Sequence, residues 1–245
     1  MKLKNYIAGQ WIEGSGNEIP LYNAVNGELV AVSDTEGIDF ESALHYGRTV
    51  GYKNLSSMTF YDRGEMLKKV ALYLLERKKK YYELSYKTGA THADSWVDIE
   101  GGFGTFFTYS GLAKRMLPNT PFWVDGDTQK ISANGTFLGT HILTPSEGVS
   151  VQINAYNFPV WGMMEKLSTS LLAGVPSIVK PATPGSYLTN AVFQDMIESG
   201  ILPEGAIQLV CGEPGNILDY VQDGDSVLFT GSANTGRKLK SLPSV

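Results

Sequence analysis

The sequence predicts a doubly wound α/β fold, and three observations carry that reading. Short apolar strands alternate with helical patterns over residues 149–240, the spacing of a parallel sheet with right-handed crossovers. Each of those strands runs into a polar or glycine-containing loop, as strands do at the carboxyl edge of such a sheet. At 245 residues and 42% hydrophobic, the chain is long and apolar enough to bury a sizeable core.

The elements follow in order. Residues 1–35 are rich in Gly, Asn and short apolar alternations such as Tyr6-Ile7-Ala8-Gly9-Gln10-Trp11-Ile12, which read as a hairpin followed by loops. A short helix is expected from Phe40 to Val50. From Tyr61, apolar residues recur at Leu67, Val70, Ala71, Leu74 and Leu75, the i, i+3, i+4, i+7, i+8 spacing of an amphipathic helix. The charge run Glu76-Arg77-Lys78-Lys79-Lys80 reads as its basic last turn facing the helix dipole. A further helical turn ends near Thr88-Gly89, with Gly89 as a left-handed stop. A third helix, Ala93 to Arg115, contains Gly101, Gly102 and Gly104, which predicts close packing on a neighbour. Pro118 and Pro121 end it. Phe122 to Thr144 then reads as strand, turn, strand, with Asn134-Gly135 at the tip.

Beyond Pro145 the pattern changes. Val149–Ile153 is a strand, and Trp161–Leu172 a helix with Met164, Leu167, Ser168 and Leu171 on one face. Ser177–Val179 is a strand, and Ser186–Ser199 a helix stopped by Gly200. Ala206–Val210 is a strand, Gly215–Val221 a helix, and Ser226–Phe229 a fourth strand leading through Thr230-Gly231-Ser232 into a last helix.

Composition excludes several classes of function. Twenty Lys and Arg against 25 Asp and Glu give a net charge of −5, the wrong sign for bulk binding to nucleic acid. The single Cys211 makes no internal disulfide, and with three scattered His it builds no Cys/His zinc cluster; no metal site is expected. Val70–Leu75 is the longest apolar run, at six residues, far short of the roughly 20 that span a membrane. MKLKNYIAGQW carries two lysines but no apolar stretch of a signal peptide. The expected location is the cytoplasm.

The loops after the strands are the places for chemistry. Asn154-Ala155-Tyr156-Asn157-Phe158-Pro159 sets two amides in a strand-to-helix turn, either as hydrogen-bond donors or as ordinary turn chemistry. Lys180, in Lys180-Pro181-Ala182-Thr183, either holds a phosphate or ribose or is solvated. Thr230-Gly231-Ser232 opens a helix, suiting a phosphate or a plain N-cap. It matches neither the G-x-G-x-x-G fingerprint nor the P-loop. His45, His92 and His141 are isolated, and Cys211 follows the apolar run Ile207-Gln208-Leu209-Val210, the place of a small core residue in the third strand.

Taken together, Asn154 to Pro159, then Lys180-Pro181-Ala182, then Phe229-Thr230-Gly231-Ser232 with Gly236 resemble the cofactor-binding half of the aldehyde dehydrogenase superfamily. The segment Lys87 to Gly102 looks like the dehydrogenase part of the bifunctional ring-opening proteins of phenylacetate degradation. Those proteins oxidise a CoA-linked semialdehyde and open an oxepin ring with a separate hydratase-like domain. The resemblance implies an aldehyde dehydrogenase-like, Rossmann-like fold with N-terminal helices and a protruding hairpin. It implies three parts: 1–121, the hairpin and helices of the cofactor domain; 122–148, an oligomerisation strand pair; and 149–245, the βα units. A homo-oligomer is expected in the full-length protein, with a small aldehyde as substrate and neither nucleic acid nor membrane as partner.

By the same resemblance, Asn157 is the catalytic donor to the aldehyde oxygen. Lys180 contacts the adenosine ribose, Ser232 the pyrophosphate, and Ile153 and Asn154 line the cleft. Thr183 stands where many NAD-using relatives carry a ribose-binding Glu. No carboxylate then repels a 2′-phosphate, and NADP is expected over NAD. The family's nucleophilic Cys and general-base Glu lie downstream of Phe-Thr-Gly-Ser, so the catalytic domain is expected to be absent from this chain and the chain alone inactive. Two other readings stand beside it: a non-catalytic nucleotide-binding module with the same loops, and an oligomerisation or scaffold protein using the Asn134-Gly135 hairpin.

Overall fold

The strand–helix alternation after residue 149 does build a parallel sheet in the computed structural model, which describes residues 1–245. The chain begins with two hairpins, β1 (Asn5–Ile7) with β2 (Gln10–Ile12) and β3 (Ile19–Tyr22) with β4 (Leu29–Ser33). The second falls where only loops were expected. Then come α1 (Phe40–Tyr46) and α2 (Tyr52–Ser56), joined through a π-helical turn at Gly47–Gly51, so the expected short helix runs on by a turn and a half. α3 (Phe60–Leu75) opens with a capping box between Thr59 and Asp62 and buries Leu67, Val70, Ala71 and Leu74. Its Arg63 is fully buried, 4.5 Å from the Phe60 ring, and burial lowers its guanidinium to about 10. α4 (Lys78–Tyr86) follows, and Gly89 beyond it is left-handed at φ +88°. Lys78 and Lys80 start α4 rather than close α3, since the helix breaks at Glu76-Arg77.

α5 (His92–Trp96) and α6 (Gly102–Met116) are one continuous rod interrupted by a π-helical turn, Val97–Gly101. β5 (Trp123–Lys130) and β6 (Leu138–Leu143) form the hairpin, with Asn134-Gly135 inside a seven-residue loop and Gly135 at φ +71°. Next are β7 (Ser150–Ile153), α7 (Pro159–Ala173), β8 (Ser177–Lys180), α8 (Ser186–Glu198) and β9 (Ile207–Leu209). β10 (Ser226–Phe229) and α9 (Ala233–Lys240) end the chain. The expected helix at Gly215–Val221 shrinks to a 3-10 turn at Ile217–Tyr220.

The main sheet runs β10-β7-β8-β9-β1-β2. Four strands are parallel, and the first hairpin joins antiparallel through β1 on β9. Both faces are covered, as a parallel sheet requires. Val179, Ile207 and Leu209 pack with α3, α6, α7 and α8 in the larger core. Val149, Val151 and Ile178 pack with α1 and Ile217-Leu218 in the smaller. The chain leaves β7 toward β8 on one side and returns to β10 on the other, which places a topological switch point between β7 and β10.

Candidate active site

The carboxyl ends of three strands lie in one row. Ile153 ends β7 and is paired with Phe229 of β10 on one side and Lys180 of β8 on the other. The backbone lattice continues one step past the row: Asn154 N–H donates to the Lys180 carbonyl at 3.0 Å, and Thr230 N–H to the Ile153 carbonyl at 3.0 Å. Ile153, Asn154 and Lys180 are therefore neighbours at the switch point, and Ser232 lies three residues beyond Phe229 on the same edge.

Each side chain has a distinct environment. Lys180 is 8% exposed, and its Nζ approaches Thr183 Oγ1 at 3.4 Å. Burial pulls its ammonium down, while the Glu213 carboxylate pulls it back up. Asn154 is buried with both side-chain amide atoms unpartnered, a costly state. Ser232 caps α9, accepting from Thr235 N–H at 3.2 Å. Asn157 is exposed and makes no side-chain hydrogen bond, so its amide is free to donate. It is flanked by exposed Tyr156 and Phe158, and Phe158 packs on Trp161 with ring centroids 6.5 Å apart.

Two features were not foreseen from the sequence. The first corrects the reading of Thr183: a carboxylate does stand there, supplied by another loop. Thr183 Oγ1 lies 3.4 Å from Glu213 Oε1 and donates to the Gly212 carbonyl at 3.2 Å. The second is Asp98, whose Oδ1 accepts from Val160 N–H at 3.0 Å and Trp161 N–H at 2.8 Å. Burial pushes its carboxyl up to about 7, against the pull of those two donors. A phosphate at the switch point would ordinarily seek the N-terminus of the helix after the first strand. Here two N–H groups of that terminus, on α7, are taken by Asp98.

Cys211 lies two residues past β9 rather than within a strand. It is fully buried, accepts a weak bond from Asn190 at 3.5 Å, and burial pushes its thiol up to about 12. A thiol held neutral in the core is inert as a nucleophile. Of the three glycines of α6 and its π turn, Gly101 and Gly102 do meet a neighbour: added Cβ atoms would stand 2.6 Å from the Trp161 ring and 3.1 Å from its backbone. Gly104 faces open space.

The model of the aldehyde dehydrogenase family matches residues 11–244. The chain belongs to that family. It is 39% identical, over its whole length, to a 3,4-dehydroadipyl-CoA semialdehyde dehydrogenase of Aromatoleum evansii, of which it covers 48%. It is 30% identical, over 96% of its length, to a betaine aldehyde dehydrogenase of Bacillus subtilis (strain 168), covering 47% of that protein. Among solved structures, it resembles a 3,6-anhydro-L-galactose dehydrogenase in complex with NAP, at 25% identity and a TM-score of 0.84, over 98% of this chain and 49% of that one. The chain spans about half the length of the curated relatives it matches. No helix is long and apolar enough to cross a membrane.

Proposed function

We propose that this chain is the cofactor-binding, oxyanion-stabilising half of an NAD(P)-dependent aldehyde dehydrogenase acting on a CoA-linked semialdehyde in aromatic-compound degradation, such as that of phenylacetate. The observation that carries the reading is the row Phe229–Ile153–Lys180, which gathers Asn154, Lys180 and Ser232 at the switch point beside Asn157. The residues present fit a dinucleotide: a buried lysine, an unpartnered buried amide and a helix N-terminus stand along one sheet edge. When bound, the dinucleotide supplies the hydride acceptor. The CoA-linked substrate is supported by the 39% identity to the semialdehyde dehydrogenase.

The chemistry assigned to this chain is charge stabilisation. A thiolate from the catalytic half adds to the aldehyde carbon, and the carbonyl oxygen gains negative charge. The Asn157 amide donates to that oxygen, and a donor carried on an anchored backbone segment stabilises the charge as it develops. Once the adduct has lost hydride to that acceptor, the thioester that remains is hydrolysed by an activated water, which the proposal also assigns to the catalytic half.

Cofactor choice turns on Thr183 and Glu213. Thr183 leaves room for a 2′-phosphate, and buried Lys180 offers it a cation. Glu213 opposes it, but this side chain is exposed and sits on a loop, free to turn to solvent. The arrangement favours NADP. The protein is proposed to be cytoplasmic and to assemble as a homo-oligomer through the β5–β6 ribbon.

Titration of the purified chain with NADP, followed by tryptophan fluorescence, tests the reading. Binding weakened by about tenfold, or about 1.4 kcal/mol, in Lys180→Ala is expected, with no aldehyde-dependent NADP reduction by the chain alone. Absence of binding overturns the cofactor assignment. Turnover that disappears on Cys211→Ser overturns the division of labour.

A further inference from the structure

Three aspartates are buried, and one of them has no cation. Asp34 pairs with Lys2 at 3.6 Å and Asp195 with Lys80 at 2.7 Å. Asp98, 3% exposed, has neither lysine nor arginine beside it and spends its Oδ1 on two backbone donors of another helix, 62 and 63 residues further along the chain. A carboxylate taken out of water without a counter-ion is expensive to keep, so what it holds in place matters.

What it holds is the first turn of α7. A helix commonly has its second or third N–H group satisfied by the side chain of its own N-cap residue. Here the N-cap is Phe158, which has no acceptor, and Pro159 follows at the first position with no N–H to offer. The two N–H groups left over belong to Val160 and Trp161, the pair that Asp98 accepts from. Asp98 reaches them from the π-helical turn Val97–Gly101, a single wide turn that re-aims side chains within an otherwise α-helical rod. Gly101 and Gly102, at the end of that turn, let the two helices close on Trp161. Asn157 is the residue immediately before Phe158, so the backbone that carries its amide is anchored on one side by β7 and on the other by a helix turn tied to Asp98.

We propose that Asp98 is the positioning residue for Asn157, acting through the backbone of Val160 and Trp161 to fix where the Asn157 amide points. This rests on the function proposed above, in which Asn157 donates to the aldehyde oxygen. Asp98 touches neither substrate nor cofactor, and it sets the placement of a group that does. The consequence is specific: loss of Asp98 costs turnover only while there is an Asn157 amide to misplace.

A double-mutant cycle in the assembled aldehyde-oxidising enzyme reads this directly. Asp98→Ala is expected to lower kcat by about 100-fold, the scale of an ångström-sized misplacement, while the NADP Kd stays within about threefold. Asp98→Asn keeps an oxygen for the same two N–H groups and should retain kcat to within about fivefold. In the Asn157→Ala background, Asp98→Ala should cost less than about threefold further, because residues acting as one unit are not additive. Should the alanine variant not fold, Asp98→Glu, which shifts the carboxylate by one methylene, serves in its place with the same pattern expected. An undiminished loss in both backgrounds, or no loss in either, overturns the inference while leaving the function standing. An enzyme whose turnover does not depend on Asn157 at all overturns both.

Discussion

The central sheet and the β5–β6 ribbon both carry apolar strand residues, and these end in opposite environments. β8 and β9 are buried at every position and β7 at three of its four. β5 is exposed along its whole length and β6 at all but one residue. The ribbon nevertheless carries Trp123, Val124, Leu138, Ile142 and Leu143, all exposed, with Trp123 opposite Leu143 and Val124 opposite Ile142. The difference lies in layers. The sheet is covered by helices on both faces, whereas the ribbon has no element of this chain over it. A lone two-stranded ribbon is marginal in water, and a contiguous apolar surface marks an interaction site. Apolar patterning therefore reports that a strand forms. Whether its apolar face is satisfied within the chain depends on what is packed across it.

The largest effect that sharpens this contrast is on stability. Leu167 is fully buried on α7 beneath the sheet, and Leu167→Ala should cost about 2–5 kcal/mol in urea unfolding. Ile142→Ser on the ribbon should stay within about 0.5 kcal/mol in the monomer and should reduce self-association in light scattering. Equal destabilisation by the two would mean that the ribbon is packed after all.

A smaller effect is expected at the cofactor edge. Glu213→Gln should strengthen NADP relative to NAD, and Thr183→Glu should shift preference the other way, each by about tenfold or about 1.4 kcal/mol. Paired titrations with the two dinucleotides check it, and an unchanged ratio in both variants would place the 2′-position away from these residues. The least response is expected from Cys211. With its thiol raised to about 12 inside the core, it should resist alkylation in the folded chain under mildly alkaline conditions and react once urea unfolds it. Rapid labelling of the folded chain would contradict its burial.

Much of this was legible in the sequence, for reasons that can be named. β10 was read to the residue, and β7 and β8 to within one at an end, because each is an apolar run bounded by glycine, proline or polar loop residues. Gly200 stops α8 with a left-handed φ of +63°, as expected. The π turns at Gly47–Gly51 and Val97–Gly101 were not legible, since an i→i+5 turn leaves no distinct apolar period. The β3–β4 hairpin was missed because its strands are only four and five residues long and a six-residue loop, 23–28, separates them. Asp98 and Glu213 were missed for a shared reason. Their roles depend on partners in other parts of the chain, Val160 and Trp161 for one and Thr183 for the other, and only the packing of α6 on α7 and of β8 beside β9 brings those pairs together.

Asn157 carries the proposed function most directly, and the measurement that tests it is steady-state turnover of Asn157→Ala in the assembled enzyme beside its NADP affinity. The amide is exposed, unpartnered and placed at the head of α7, and its proposed role is to act on charge that exists only as the thiolate adds. Removing one such donor costs on the order of 100- to 1000-fold in kcat, roughly 3–4 kcal/mol. That loss is expected with cofactor binding nearly unchanged. Turnover kept at the wild-type level, or a fall explained wholly by weaker NADP binding, would contradict it.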